Sequence, residues 1–169
     1  MDVIEIKDLS PYLEQLTALL QDCVDAGASV GFLPPLSHVD AQAYWQGVAE
    51  TLGEHRKLWV ACDGDLLIGT VQLALCAKKN GAHRAEIEKL MVNTNARGRG
   101  AGRALMLAAE ACSDHLSRHL LVLDTREGDV ASELYRKLGY VEAGRIPQFA
   151  LSATGELDAT VYFYKLLAQ

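Results

Sequence analysis

A short turn rich in glycine and arginine, ARGRGAG at 96–102, constrains the fold of this chain more than any other segment. It follows the apolar, β-rich run EIEKLMV and precedes the alanine-rich, helix-like run RALMLAAEACSDHL. The next apolar run, HLLVLDT at 119–125, has the composition of a second strand. A strand, a turn, a helix and another strand form a crossover unit whose two strands lie parallel in one sheet. The turn therefore indicates an α/β domain.

The N-terminal third is predicted to add one strand and two helices. VIEI at 3–6 has the composition of a short strand, and Pro11 suits the first turn of a helix over about 10–27. A second helix is predicted over about 37–53. It has Ser37 as its N-cap because an aspartate three positions later completes the spacing of a capping box.

The remaining segments are predicted to be mostly strands. Two β-rich runs around Asp63-Gly64, a dipeptide favoured in tight turns, form a hairpin, and RAEIEKLMV at 84–92 can continue it as an antiparallel meander. A helix over about 129–139 and two closing strands, YVEAGRIPQFAL and ELDATVYFYKLL, follow the crossover unit. The order β, α, α, β, β, β, α, β, α, β, β indicates one α/β domain over 1–169. Its mixed, mostly antiparallel sheet has about seven strands and is accompanied by about four helices.

Charge and composition exclude several classes of partner. Sixteen basic and 22 acidic residues give a formal net charge of −6, so binding to nucleic acid or to a membrane is not expected. No signal-peptide pattern opens the chain and no window approaches the roughly 20 apolar residues of a membrane span, so a cytoplasmic protein is expected. Neither the cysteines nor the histidines have metal-like spacing, and no metal site is expected. The cysteines are predicted to be small core residues: Cys23, Cys62, Cys76 and Cys112.

The glycine turn has the properties of an anion-binding site. A helix N-terminus offers unpaired N–H groups and the positive end of the peptide dipole. Glycines let a phosphate approach those amides without meeting a Cβ, and arginines add charge that suits phosphate oxygens. A pyrophosphate is the favoured ligand class, although a flexible turn with solvated arginines would have the same composition. The predicted anion-binding residues are Arg97, Gly98, Arg99, Gly100, Ala101, Gly102 and Arg103.

Two familiar phosphate loops do not fit the turn. A Walker loop ends in Gly-Lys-Ser/Thr, but Gly102 is followed by Arg103. A dinucleotide fingerprint needs G-x-G-x-x-G/A, and counting from Gly98 or from Gly100 places an arginine or a leucine in the third position. The pattern Q/R-x-x-G-x-G/A does fit, with Arg97, Gly100 and Gly102 in the defining places.

With its flanking strand and helix and the downstream ELYRKLGY, this pattern resembles the acetyl-CoA loop of the Gcn5-related N-acetyltransferase (GNAT) superfamily. The predicted order of elements is also similar to the GNAT fold over essentially the whole chain. The resemblance implies an N-acetyltransferase that uses acetyl-CoA as cosubstrate and works by direct attack in a ternary complex. It implies that amides from Gly98 to Arg103 hold the pyrophosphate, and that the backbone of Leu90, Met91 and Val92 hydrogen-bonds the pantetheine arm. An asparagine that many members carry before the tyrosine motif is replaced here by EGDVA.

Four segments resemble the tabtoxin-resistance acetyltransferases of the same superfamily more closely: GASVGF, NGAHRAEIEKLMV, ARGRGAGRALM and LDT. This resemblance implies a small amino-acid-like, toxin or antibiotic acceptor and a role in toxin resistance. It places Ser29, Val30 and Phe32 in a wall of the acceptor site, although the glycines of GASVGF could simply end the first helix. Three alternatives stay open, namely a non-catalytic acyl-CoA-binding module, an acetyltransferase acting on a protein amine, and a nucleotide-binding protein outside the superfamily. The apolar closing strand TVYFYKLL leaves both a monomer and a strand-paired homodimer open.

Two glutamates on the strand before the turn are candidates for a base. Alternation predicts Glu86, Glu88, Leu90 and Val92 on one face of that strand, which could also be no more than an acidic, solvent-facing surface. Deprotonating an alkylammonium at pH 7 costs about 4–5 kcal/mol, so a base near the acceptor is useful. Glu86 lies 11 positions before Arg97, where the resemblance implies a catalytic glutamate. Glu88 is a second candidate and an expected substrate contact.

Asp124 and Tyr135 complete the predicted catalytic set. Asp124 ends a strand, where open α/β sheets present working residues, although a turn or capping role would explain it equally well. The resemblance implies that Asp124 faces the acceptor amine. Tyr135 lies in ASELYRKLGY, where helical spacing with leucines also fits a core residue. The resemblance implies that its phenol, with an ordinary pKa of about 10, protonates the departing thiolate.

Overall fold

The computed structural model describes residues 1–168 and has the predicted order of seven strands and four helices. The strands are β1 Asp2–Ile6, β2 Arg56–Asp63, β3 Leu66–Leu75, β4 Arg84–Val92, β5 Leu120–Arg126, β6 Val141–Leu151 and β7 Leu157–Leu166. The helices are α1 Leu13–Asp25, α2 His38–Thr51, α3 Ala101–His115 and α4 Ala131–Lys137. None of the helices within 1–168 is long and apolar enough to cross a membrane.

Local sequence signals explain most element boundaries. The Ser37 hydroxyl accepts a hydrogen bond from the Asp40 amide at 3.1 Å, as expected of the N-cap of α2. Pro11 lies in a single 3-10 turn, so α1 begins at Leu13, later than predicted. The hairpin loop is Gly64-Asp65 and not Asp63-Gly64, because Asp63 still pairs with β3 and Gly64 takes the positive φ of +59° that the first loop position requires.

The sheet has the strand order β1-β2-β3-β4-β5-β7-β6, and every neighbouring pair is antiparallel except β4 and β5. This arrangement confirms the meander and the parallel crossover. The prediction that the closing strand could pair with a second copy of the chain is wrong for β7, which does not lie at an edge of the sheet. β7 is paired with β5 on one side and with β6 on the other, because the last hairpin folds back into the sheet, and β6 forms the outer edge.

Helices cover both faces of the sheet and produce two apolar cores. On one face, α1 and α2 bury Leu20, Val24 and the fully buried Trp45 against β2 and β3. On the other face, α3 and α4 bury Leu105 and Tyr135 with residues of β2, β3, β4, β5 and β7. The sheet is therefore the middle layer, and sites at its edges or gaps lie between the two cores.

β4 and β5 separate soon after they begin to pair. Their parallel ladder covers three residue pairs, from Arg84 with Leu120 to Glu86 with Val122, although both strands continue past these residues. Within residues 1–168, β4 beyond Glu86 has β3 as its ladder partner and β5 has β7. The two strands thus open a gap in the middle of the sheet.

A β-bulge at Lys89 changes the orientation of β4 within this gap. The register to β3 shifts between Thr70 and Gln72, and Lys89 has a φ of +54°. The predicted alternation is therefore wrong after Glu88. Leu90 and Val92 pack on the α3 face, whereas the buried Met91 joins the core beneath α1 and α2. The bulge adds one residue to β4, so each side chain after it lies on the face opposite to the one that regular alternation predicts.

Candidate active site

A cavity of about 580 Å³ lies where β4 and β5 diverge. Its walls come from the loop 27–34 between α1 and α2, residues 86–90 of β4, residues 124–126 of β5, and the ends of β6 and β7. Tyr135 of α4 also lines it. All three side chains predicted to be catalytic therefore line one cavity, together with all four predicted acceptor-site residues: Ser29, Val30, Phe32 and Glu88.

Glu86 is the last residue of β4 that pairs with β5, and it precedes the bulge at Lys89. Its side chain forms no hydrogen bond or ion pair with any part of the chain that the structure describes. Partial loss of water in the cavity raises its pKa above the ordinary glutamate value, and the negative charges of Glu88 and Asp124 raise it further. Lys89 and Arg56 act in the opposite direction. The net result is a carboxylate whose basicity is increased.

Glu88 has a different environment although it lies on the same face of β4. Its Oε2 accepts a hydrogen bond from the Arg56 guanidinium at 2.8 Å, and both side chains are about three-quarters buried. The charge of this carboxylate is compensated by a fixed partner, which is a poor arrangement for a group that must take up protons. The geometry therefore distinguishes two glutamates that looked alike in the sequence.

Asp124 lies on β5, across the gap from β4. Its Oδ2 accepts a hydrogen bond from the Thr160 hydroxyl on β7 at 2.6 Å, which fixes the orientation of the carboxylate. Thr160 itself is buried and lies 3.1 Å from the Thr125 carbonyl oxygen. One oxygen of Asp124 is thus held by the sheet, and the side chain lines the cavity.

Tyr135 is inserted between α4 and the sheet. Only 6% of the residue is exposed, and its ring contacts the rings of Tyr140 and Phe163, each with a centroid distance of 6.0 Å. Burial raises the pKa of its phenol well above the ordinary value, and the charges of Asp129 and Asp124 add to the effect. The hydroxyl group therefore keeps its proton at physiological pH.

Two cations in the cavity were not predicted as site residues. Lys89 Nζ would lie 3.9 Å from a Cβ placed on Gly31, and the Arg126 guanidinium donates to the Gly27 carbonyl oxygen at 2.8 Å. Both cations therefore contact the loop 27–34. Arg126 is the last residue of β5, so the rule that working residues lie at strand ends, which singled out Asp124, could also have found Arg126. The position of Lys89 depends on the bulge, which the sequence does not reveal.

The glycine turn lies at the start of α3, as predicted. Gly98 and Gly100 have φ values of +80° and +84°, and a Cβ at either position would meet nothing within 4 Å. Gly102 differs, because a Cβ there would lie 3.3 Å from Leu134 Cδ2, so its missing side chain allows α3 to approach α4. The turn therefore offers open backbone amides at the N-terminus of a 15-residue helix.

The three arginines of the turn are exposed to solvent. Arg99 Nη1 lies 3.4 Å from Asp63 Oδ2. Both side chains are more than half exposed, so this ion pair contributes little to the stability of the fold. Arg97 and Arg103 form no ion pair with residues 1–168. Their charges remain available to an anion bound at the helix start.

The cysteines are not arranged as a reactive or metal-binding group within residues 1–168. Cys23 and Cys62 are buried, whereas Cys76 and Cys112 are partly exposed, and all four are free thiols. Burial raises the pKa of Cys23 to about 11, so its thiolate is scarce at neutral pH. Across residues 1–168, no group of three His, Cys, Asp or Glu side chains converges as a metal site would require.

A family model for the acetyltransferase (GNAT) domain matches residues 54–142, more than half of the chain. This chain belongs to the GNAT acetyltransferase family. The matched region of this GNAT protein extends from β2 to the start of β6 and includes the glycine turn, Glu86, Asp124 and Tyr135.

Solved structures show the same fold. Ribosomal-protein-alanine N-acetyltransferase from Brucella melitensis matches with a TM-score of 0.81 at 21% identity, covering 99% of this GNAT protein and 100% of that chain. The yncA protein of Salmonella typhimurium, solved with its cofactor acetyl-CoA, matches with a TM-score of 0.79 at 16% identity over 99% and 95%. Aminoglycoside 6′-acetyltransferase type Ii matches with a TM-score of 0.75 at 22% identity over 100% and 99%. These identities support a common fold and leave the acceptor undetermined.

Proposed function

We propose that this GNAT protein is an acetyl-CoA-dependent N-acetyltransferase that acetylates the amine of a small, amino-acid-like acceptor by direct attack in a ternary complex. The observation that carries the proposal is the convergence of Glu86, Asp124 and Tyr135 on one cavity at the gap between β4 and β5. A base, an anionic contact for an amine and a proton donor are the groups that acyl transfer to nitrogen requires.

The chain has a suitable place for acetyl-CoA. The open amides of Gly98 and Gly100 and the start of α3 would hold the pyrophosphate, and exposed arginines would add charge. The ladder between β4 and β5 ends at Glu86, and the backbone of Leu90, Met91 and Val92 beyond it would bind the pantetheine arm in the gap. Acetyl-CoA would supply the thioester, whose acetyl carbon the amine attacks and whose thiolate leaves.

Glu86 would act as the base, directly or through water. Its carboxylate is unpaired within residues 1–168, and its raised pKa brings it closer to the working pH, which favours proton uptake from an ammonium. Asp124, fixed by Thr160, would hold the amine beside the thioester. The amine nitrogen would then form the new C–N bond while the C–S bond breaks.

Tyr135 would stabilise the departing sulfur. A phenol that stays protonated can donate a hydrogen bond to the developing thiolate. The high pKa also means that full proton transfer to a thiolate with a pKa near 8.5 is uphill, so the main contribution is the hydrogen bond in the transition state. This refines the role that the sequence predicted.

Charges of opposite sign in the cavity support an amino-acid-like acceptor. Lys89 and Arg126 contact the loop 27–34, and the carboxylates of Glu86 and Asp124 come a few residues earlier on the same two strands, β4 and β5. A zwitterion can place its amine at the carboxylates and its own carboxylate at the cations. The resemblance to tabtoxin-resistance enzymes is consistent with such an acceptor, and toxin resistance is proposed on that basis.

A panel of acceptors assayed for coenzyme A thiol release tests the proposal. The panel contains amino acids, β-lactam amino-acid toxins, polyamines, aminoglycosides and a peptide with a free N-terminus, and each acceptor is paired with its N-acetylated form as a control. We expect release with amino-acid-like amines and none with the blocked controls. Release with the peptide alone would indicate a protein acceptor. Acetyl-CoA binding without release for any amine would indicate a non-catalytic module, and calorimetric binding of NAD or ATP alone would overturn the cofactor assignment.

Replacing Gly100 by valine should act mainly by weakening the binding of acetyl-CoA. A β-branched residue strains a backbone with a φ of +84° and puts methyl groups where the pyrophosphate would approach the amides. We expect the Kd for acetyl-CoA, measured by calorimetry, to rise by about tenfold or more, which corresponds to about 1.4 kcal/mol per factor of ten. Gly155→Val is the matched control, because Gly155 has a φ of +89° and equally open surroundings at the β6–β7 turn. Equal losses of affinity in both variants would show that backbone strain alone is responsible.

A further inference from the structure

Arg56 connects the cavity to a buried polar network that the proposed mechanism does not use. One guanidinium nitrogen, Nη1, donates to Glu88 Oε2 at 2.8 Å and lies 2.7 Å from Gln72 Oε1. Gln72 is fully buried, and its Nε2 donates to the Tyr44 hydroxyl at 3.1 Å. Unsatisfied buried amides are costly, so each member of this network fixes the next one.

The network begins and ends at the wall of the cavity. Glu88 lines the cavity at one end. At the other end, the Tyr44 ring packs edge-on against Phe32, with a centroid distance of 5.4 Å, and Phe32 lies in the loop 27–34. Arg56 thus binds a carboxylate of the cavity wall and, through Gln72 and Tyr44, supports the loop 27–34 that lines the cavity.

The charges around Glu86 show why the pairing of Glu88 matters. Glu88 and Lys89 lie on the same strand, Asp124 faces Glu86 from β5, and Arg56 lies on β2. The β6–β7 segment contributes Tyr162 and also Asp158, which lines the cavity. Partial loss of water raises the pKa of Tyr162, and the charges of Asp124 and Glu86 raise it further. The loop 27–34 contains no titratable side chain. Glu88 is the nearest carboxylate to Glu86 along the strand, and Arg56 is its ion-pair partner.

We propose that Arg56 is a positioning residue that acts through Glu88: it binds the Glu88 carboxylate, keeps it out of proton transfer, and leaves Glu86 as the base of the pair. The proposal rests on the acetyltransferase function proposed above for its kinetic consequence. The effect of Arg56 on the titration of Glu86, transmitted through the charge of Glu88, can be measured in the absence of any substrate.

NMR titration of protein with carboxyl-labelled glutamate tests this effect directly, with Glu86→Gln and Glu88→Gln used to assign the two signals. Arg56→Met leaves Glu88 as an uncompensated anion two residues away, so the Glu86 titration should move to higher pH. In Arg56→Met/Glu88→Gln both charges of the pair are absent, and the Glu86 titration should return towards that of the unmodified protein. Arg56→Lys keeps the charge and should stay close to the unmodified protein.

The double variant decides between the proposal and its rivals. A Glu86 titration that lies at clearly higher pH in Arg56→Met/Glu88→Gln than in Glu88→Gln alone would mean that Arg56 acts on Glu86 mainly through its own charge and not through Glu88, which overturns the proposal. An unchanged titration in Arg56→Met would reduce Arg56 to a scaffold residue and also overturn it. The acidic limb of the kcat profile should shift in the same order in active protein. If the unmodified protein transfers no acetyl group, the proposed function fails, and the NMR results still decide the role of Arg56.

Discussion

Glu86→Gln should lower kcat at neutral pH by about 10²-fold or more, which is the usual contribution of a general base. The raised pKa of Glu86 moves the acidic limb of kcat to higher pH than an ordinary glutamate would give, because activity requires the ionised form and falls as pH drops through that pKa. In the glutamine variant this limb should disappear. The residual rate should then rise with pH towards the pKa of the acceptor amine, so the pH optimum moves upward. Steady-state kinetics from pH 5 to 10 with saturating acetyl-CoA measures both changes.

Glu88→Gln is the matched control for the base. Both glutamates lie on one face of β4 and carry the same charge, but Glu88 is paired with Arg56 and Glu86 is not paired within residues 1–168. We expect Glu88→Gln to keep its acidic limb and to lose far less activity. A profile in which Glu86→Gln retains the limb and Glu88→Gln loses it would reverse the assignment of the two residues.

Tyr135→Phe should lower kcat by about 10-fold to 10²-fold with little change in the Kd for acetyl-CoA. The substitution removes the donor to the leaving sulfur and preserves the ring contacts with Tyr140 and Phe163 that hold α4 against the sheet. Pre-steady-state kinetics, which separates acetyl transfer from product release, should show that the chemical step is slowed. The drop in kcat should be largest for acetyl donors whose thiols are poor leaving groups.

Tyr140→Phe controls for general effects of removing a buried phenol. Tyr140 lies beside Tyr135 with a ring distance of 6.0 Å and does not line the cavity; burial and the nearby carboxylate of Glu110 on α3 raise the pKa of its phenol. Removing that hydroxyl should therefore leave kcat unchanged. Equal losses of kcat in both variants would remove the donor role of Tyr135.

The order of elements could be predicted because each strand and helix has its own local signals. Ser37 caps α2, Gly64 allows a two-residue hairpin, and the glycine turn separates β4 from α3. The face of each residue in β4 could not be predicted after Glu88. A period-two pattern assumes one residue per step, and nothing in EIEKLMV distinguishes a regular strand from one with a bulge at Lys89.

Only those parts of the site that lie within a single sequence segment could be predicted. The turn and the three proposed catalytic residues each lie in a motif or at a strand end. The pairing of Arg56 with Glu88 joins residues 32 positions apart, and the contact of Arg126 with Gly27 joins residues 99 positions apart. Such pairs are decided by sheet order and loop path, which local patterns do not encode. The edge position of β6 was missed for the same reason.

The gap between β4 and β5 also bears on how the molecule should respond to heat. Three rungs of parallel ladder join a four-stranded wing, β1 to β4, to a three-stranded wing, β5 to β7. An extended ligand that hydrogen-bonds to both wings would serve as an additional strand and complete the sheet. Occupancy would then be visible far from the reaction itself, as slower amide exchange in both wings and as one sharper melting transition in place of a broader one.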